Sequence, residues 1–196
     1  MSLGKQAKTL SKGQIDAVLG YLTKTRHSIR NRVVFLLSIR AGLRAKEVAN
    51  LKWSMVTDPE GNLDHAIRLE NAASKGRRGG RVIPMSSDLR EALKALQGDR
   101  KEAVVSDYIV RTERGPRTTP QVIVNLFSRW YSELGFNGCS SHSGRRTFIT
   151  NAARKISSVG GSLRDVQMLA GHSNLATTQR YIEANGLAQQ RVVDLI

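Results

Sequence analysis

Apolar residues recur at helical spacing in segment after segment of this chain, and one stretch near the middle breaks the pattern. Ser11 and Gln14 form a capping-box signature, and behind them Ile15, Val18, Leu19 and Leu22 share one helix face. A second helix is expected from Ile29 to Ala41 through Val33, Val34, Leu36 and Leu37, with Gly42 as its stop. A short helix carrying Glu47, Val48 and Leu51 follows. Then comes the break. The turn Asp58-Pro59-Glu60-Gly61-Asn62 leads to two short strand candidates, His65 to Leu69 and Arg81 to Pro84. Between them lie four cations and three glycines, from Lys75 to Arg81. Helical spacing returns at Ser87, at Thr119-Pro120, and in three segments near Ser141 to Ile156, Ser162 to Ala170 and Thr177 to Glu183. The expectation is an α+β fold, mainly helical, with one small antiparallel β-sheet inserted after the third helix.

Charge narrows the class of partner. The 196 residues carry 31 Lys plus Arg against 16 Asp plus Glu, a formal net charge of +15. Such an excess favours a polyanion, with nucleic acid ahead of an anionic membrane surface. An apolar fraction of 40% is enough for an ordinary core, so the charge does not read as disorder. No apolar run reaches the roughly 18 residues a membrane span needs, and no signal peptide opens the chain. Cys139 stands alone, which excludes an intrachain disulfide and a cysteine-based zinc finger. The composition points to a soluble, cytoplasmic, basic domain spanning residues 1–196.

A basic domain that cuts a phosphodiester without metal needs cations on the non-bridging oxygens, a nucleophile, and a proton donor for the leaving oxygen. Arginine suits the first task because its planar fork stays charged and binds two oxygens at once. His142 and Arg145 stand three residues apart, on one helix face. Arg44 has Glu47 one turn further on, placed to orient it. His172 ends a helix, and Tyr181 follows nine residues later within the next short helix. Taken singly, each has an ordinary reading: a solvated helix start, a surface arginine, a structural histidine, a half-buried core tyrosine.

Taken whole, the segments AGLRAKEVANLKW, HSGRRTFIT and LAGHSNLATTQRYI resemble the catalytic domain of the tyrosine recombinases, the phage integrase family. The resemblance runs in order from about Ser11 to Gly186. It implies a DNA breaking–rejoining fold in which Arg44, Arg145 and His172 stabilise charge on the phosphate and Tyr181 is the nucleophile. His142 would assist proton removal from Tyr181. The basic turn matches the family's hairpin lysine and points to Lys75 as general acid. Lys75 is also the one lysine between Lys52 and Lys94, and lysine gives up a proton where arginine does not. Arg146 stands where many family members have histidine. Arg77, Arg78, Arg81 and Arg146 are expected on the DNA backbone.

The chemistry so implied makes a 3′-phosphotyrosyl bond and needs neither metal, cofactor nor ATP. The implied partner is double-stranded DNA in a prokaryotic cytoplasm, engaged by a homotetramer in which Leu187 to Ile196 docks on a neighbouring protomer. About ten residues precede the first helix, so the N-terminal clamp domain of most relatives is expected to be absent. Two rivals share the fold: a non-catalytic DNA-binding or regulatory protein, and a type IB topoisomerase-like relaxing activity.

Overall fold

The structure is a computed structural model and describes residues 7–73, 80–99, 107–113, 115–182 and 193–194. Among the described residues, eight α-helices and two strands follow one another: α1 (Lys12–Thr23), α2 (Ser28–Ala41), α3 (Ala45–Asn50), β1 (Ala66–Leu69), β2 (Arg81–Pro84), α4 (Ser87–Gly98), α5 (Pro120–Glu133), α6 (Ser143–Lys155), α7 (Leu163–Ala170) and α8 (Leu175–Gln179). The α+β expectation holds. The strands pair antiparallel, with Ala66 opposite Pro84 and Leu69 opposite Arg81.

Local chemistry sets the element ends. Ser11 accepts from the Gln14 N–H while the Gln14 side chain accepts from the Ser11 N–H, so the expected capping box starts α1. Gly42 turns left-handed at φ 63° and ends α2, and Thr119 caps α5 with Pro120 in its first turn.

The final short helix departs from the expected Thr177 to Glu183. The Asn174 side chain accepts the Ala176 N–H at 2.8 Å, so the helix starts at Leu175 and ends at Gln179. Tyr181 therefore lies beyond the helix, in the turn after it.

Helix α2 is the axis of the domain. Val33, Val34, Phe35, Leu36 and Leu37 are all fully buried, so it is wrapped on every side rather than on one face. It packs against α1, α3, α4 and α6. Each of its large apolar side chains contributes about 1.5–3 kcal/mol by leaving water. Phe127 and Trp130 of α5 close the core, with ring centroids 5.2 Å apart in an edge-on arrangement. A second, smaller cluster of Ile149, Val166 and Ala170 joins α6 to α7, with Phe148, Leu163 and Tyr181 packed on it. The candidate site lies between the two clusters.

Candidate active site

Two helix stops create the setting. After α7, Gly171 adopts φ 61° and its N–H donates to the Met168 carbonyl at 3.0 Å. The His172 N–H reaches back to the Gln167 carbonyl at 3.1 Å, completing a Schellman motif that fixes where His172 begins. After α2, Gly42 makes a wider stop, in which its own N–H and the Leu43 N–H both donate to the Leu37 carbonyl.

Arg145, on α6, bridges the two stops. One guanidinium nitrogen donates to the Gly42 carbonyl at 2.5 Å and the other to the Ala170 carbonyl at 2.6 Å. Carbonyls at helix C-termini carry partial negative charge, which favours a cation there. The residue is 4% exposed. Burial, with Arg44 and Arg81 nearby and Glu47 opposing them, lowers its pKa to about 9, and it stays protonated at neutral pH.

Glu47 organises the other cations. It is fully buried on α3. One carboxylate oxygen accepts the Arg44 backbone N–H at 2.9 Å and the other accepts the Arg44 side chain at 2.8 Å. Arg81 grips the same carboxylate with both terminal nitrogens, at 3.0 and 3.1 Å. Burial pushes the Glu47 pKa up. The Arg81 hydrogen bond and charge, with Arg44, outweigh that and hold it below the usual carboxylate value.

Arg81 departs from the expected backbone contact. Its side chain is 7% exposed, and its Nε also donates to the Leu169 carbonyl at 2.9 Å. The guanidinium is an internal brace between β2, α3 and the end of α7. Strand alternation carried that signal, since Arg81 shares a face with fully buried Ile83 while Val82 points outward. A Cβ at Gly171 would come within 2.9 Å of this guanidinium, so the stop needs glycine for space as well as for φ.

The His172 ring stacks on Tyr181, centroids 5.6 Å apart and planes 24° apart, and its Nδ1 lies 2.9 Å from the Thr178 hydroxyl. Burial, then Arg145, Arg44 and Arg81, lower its pKa to about 4, so the imidazole is neutral at pH 7. Tyr181, His142 and Arg145 line one cleft of about 250 Å³ together with Ala7, Arg146, Thr177 and Arg180. His142 is exposed at the start of α6.

The fold thus gathers Arg44, Glu47, His142, Arg145, Arg146, His172 and Tyr181 from four parts of the sequence. Lys75, Arg77 and Arg78 lie outside the described residues. Sequence reasoning missed Arg180, the internal role of Arg81, and Thr178. The last sits three residues before Tyr181, which is one helical turn away and was a usable signal. Among the described residues no three His, Cys, Asp or Glu side chains converge as a metal-binding group, and no helix is long and apolar enough to cross a membrane.

Mainly helical with one small sheet, the domain shares the fold of the tyrosine recombinases among solved structures. The chain belongs to the phage integrase family, whose family model matches residues 8–186. It is 32% identical over 177 residues to tyrosine recombinase XerA of Thermococcus onnurineus, covering 89% of this chain and 57% of that protein. It is 29% identical over 187 residues to tyrosine recombinase XerC of a Shewanella species, covering 92% of this chain and 58% of the relative. The chain therefore spans somewhat over half the length of these curated relatives.

Among solved structures, it superimposes on a crystal structure of XerA recombinase with a TM-score of 0.74 at 23% identity, covering 95% of this chain and 64% of that one. It superimposes on the Tn1549 transposon integrase in complex with transposon right end DNA with a TM-score of 0.76 at 18% identity, covering 97% and 65%.

Proposed function

We propose that this chain is a site-specific DNA recombinase catalytic domain that cleaves and rejoins duplex DNA through Tyr181. The observation that carries the proposal is the placement of Tyr181, stacked on His172 and facing the same cleft as Arg145. Family membership and the recombinase relatives support it, as does the net charge of +15.

The Tyr181 oxygen attacks the scissile phosphorus, forming the 3′-phosphotyrosyl bond as the phosphorus–O5′ bond breaks. Its proton leaves with assistance from His142, which shares the cleft. The departing 5′ oxygen takes a proton from Lys75. Arg44, Arg145 and His172 hold the non-bridging oxygens while charge builds on them. The reverse sequence, with a 5′-hydroxyl from a second strand, rejoins DNA and frees Tyr181, so the phosphodiester energy is conserved.

Arg77, Arg78 and Arg146 are proposed on the DNA backbone, joined by Arg180, whereas Arg81 is withdrawn from that role. The working assembly is a homotetramer on two duplex sites in a prokaryotic cytoplasm, at the nucleoid. Its C-terminal segment from Leu187 to Ile196, of which Val193 and Asp194 are described, docks on a neighbour.

The test is covalent capture. Incubated with a library of nicked duplexes, the protein forms an adduct that survives denaturing electrophoresis, and Tyr181→Phe forms none while still retarding duplex DNA. An adduct in Tyr181→Phe overturns the proposal.

A further inference from the structure

The scheme above leaves the side chain of Thr178 unused. Thr178 is fully buried near the end of α8. Its carbonyl accepts the Tyr181 N–H at 3.0 Å, and its Oγ1 lies 2.9 Å from His172 Nδ1. One residue therefore holds the tyrosine through its main chain and the imidazole through its side chain.

Proton accounting fixes the direction of the second bond. A hydroxyl has one proton to donate, and a buried O–H without an acceptor costs about 1–3 kcal/mol. Thr57 and Thr147 place theirs on backbone carbonyls four residues back, on Trp53 at 3.0 Å and Ser143 at 2.8 Å. Thr178 has no such carbonyl partner among the described residues, and its acceptor is His172 Nδ1. Nδ1 is then the bare nitrogen, and the single ring proton sits on Nε2, on the other edge of the ring. Burial, and then the guanidinium groups of Arg145, Arg44 and Arg81, disfavour a second proton on the imidazole.

We propose that Thr178 is a positioning residue that holds His172 as the neutral Nε2–H tautomer, which makes His172 a hydrogen-bond donor to the phosphate rather than a cation or a base. This rests on the recombinase reading of the site. A neutral donor adds no fourth positive charge to a pocket already holding three arginines. It also cannot accept the Tyr181 proton through Nδ1, which Thr178 occupies. Proton removal is thereby left to His142, on the exposed side of the cleft.

Two readouts test this on the full chain. In the 15N-labelled protein, two-bond 1H–15N correlations, assigned to His172 by their loss in His172→Gln, show the Nε2–H tautomer at pH 7 and still at pH 6. Thr178→Val removes the hydroxyl at nearly constant shape. It mixes the tautomers and slows adduct formation at saturating DNA at least fivefold with DNA affinity unchanged. Thr178→Ser restores both. An Nδ1–H tautomer or an imidazolium in the wild type at pH 7 overturns the proposal, as does a Thr178→Val rate within fivefold of wild type. If Thr178→Val does not fold, the wild-type spectrum decides alone. If the wild type forms no adduct, the recombinase reading falls, while the spectrum still reports on the tautomer.

Discussion

Replacing Glu47 by glutamine removes one charge and almost no volume from the point where Arg44 and Arg81 meet. The carboxylate accepts at least four hydrogen bonds there, three of them from guanidinium nitrogens and one from the Arg44 N–H. Glutamine offers one acceptor oxygen and turns an NH2 group toward guanidinium donors, so at least one donor pair is left facing another. Glu47 is fully buried and the Arg81 side chain is 7% exposed, so solvent cannot screen the loss. Breaking a buried pair by removing one partner costs about 3–5 kcal/mol, a large share of a domain's roughly 5–15 kcal/mol. Urea unfolding at pH 7 should show the midpoint falling by about 1–3 M at unchanged m.

The sign with pH follows from linkage. The folded-state pKa of Glu47 lies below its ordinary value of 4.5. Its contribution is complete above pH 4.5 and is lost as pH falls through the lower folded value. The stability gap between wild type and Glu47→Gln should therefore be widest near neutrality and narrow below pH 4.5. A loss under about 1 kcal/mol at pH 7, or a gap that does not narrow in acid, refutes the reasoning.

Three further outcomes follow from the same geometry. Tyr131→Phe removes a buried hydroxyl that has no hydrogen-bond partner among the described residues, so chemical denaturation should show stability unchanged or raised by up to about 1 kcal/mol. Gly144→Ala puts a Cβ against the Ser38 hydroxyl and 3.0 Å from its Cβ, where α6 crosses α2; calorimetry should show about 1–3 kcal/mol of destabilisation, with slower adduct formation because Arg145 is the next residue. Folding lowers the His172 pKa from 6.5 to about 4, so its contribution is complete above pH 6.5 and is lost toward pH 4. Denaturation midpoints of wild type and His172→Gln should run parallel above pH 6.5 and converge below it.

Much of the fold was legible because helices and strands are announced by local rules. The Ser11 capping box, the Gly42 stop and the Thr119-Pro120 start depend on residues within a turn of one another, and each stands where its signature falls. The last helix was misplaced for an equally local reason, since the Asn174 cap was overlooked and Tyr181 was drawn into a helix it follows. The family motifs marked Arg44, His142, Arg145, His172 and Tyr181, and the fold gathers all five into one region.

By itself, then, the sequence determined where most of the helices start and stop, that a small sheet interrupts them, that the chain carries a large positive charge, and which motifs it shares with the phage integrase family. Only the tertiary structure decided what each cation does. Arg81 and Arg146 look alike in sequence, yet one is clamped on a buried carboxylate and the other lines an open cleft. Arg145 stays charged in the interior because two helix ends, 128 residues apart in sequence, turn their carbonyls onto it. The environment of a charge is the sum of groups brought together by folding, and no local pattern records that sum.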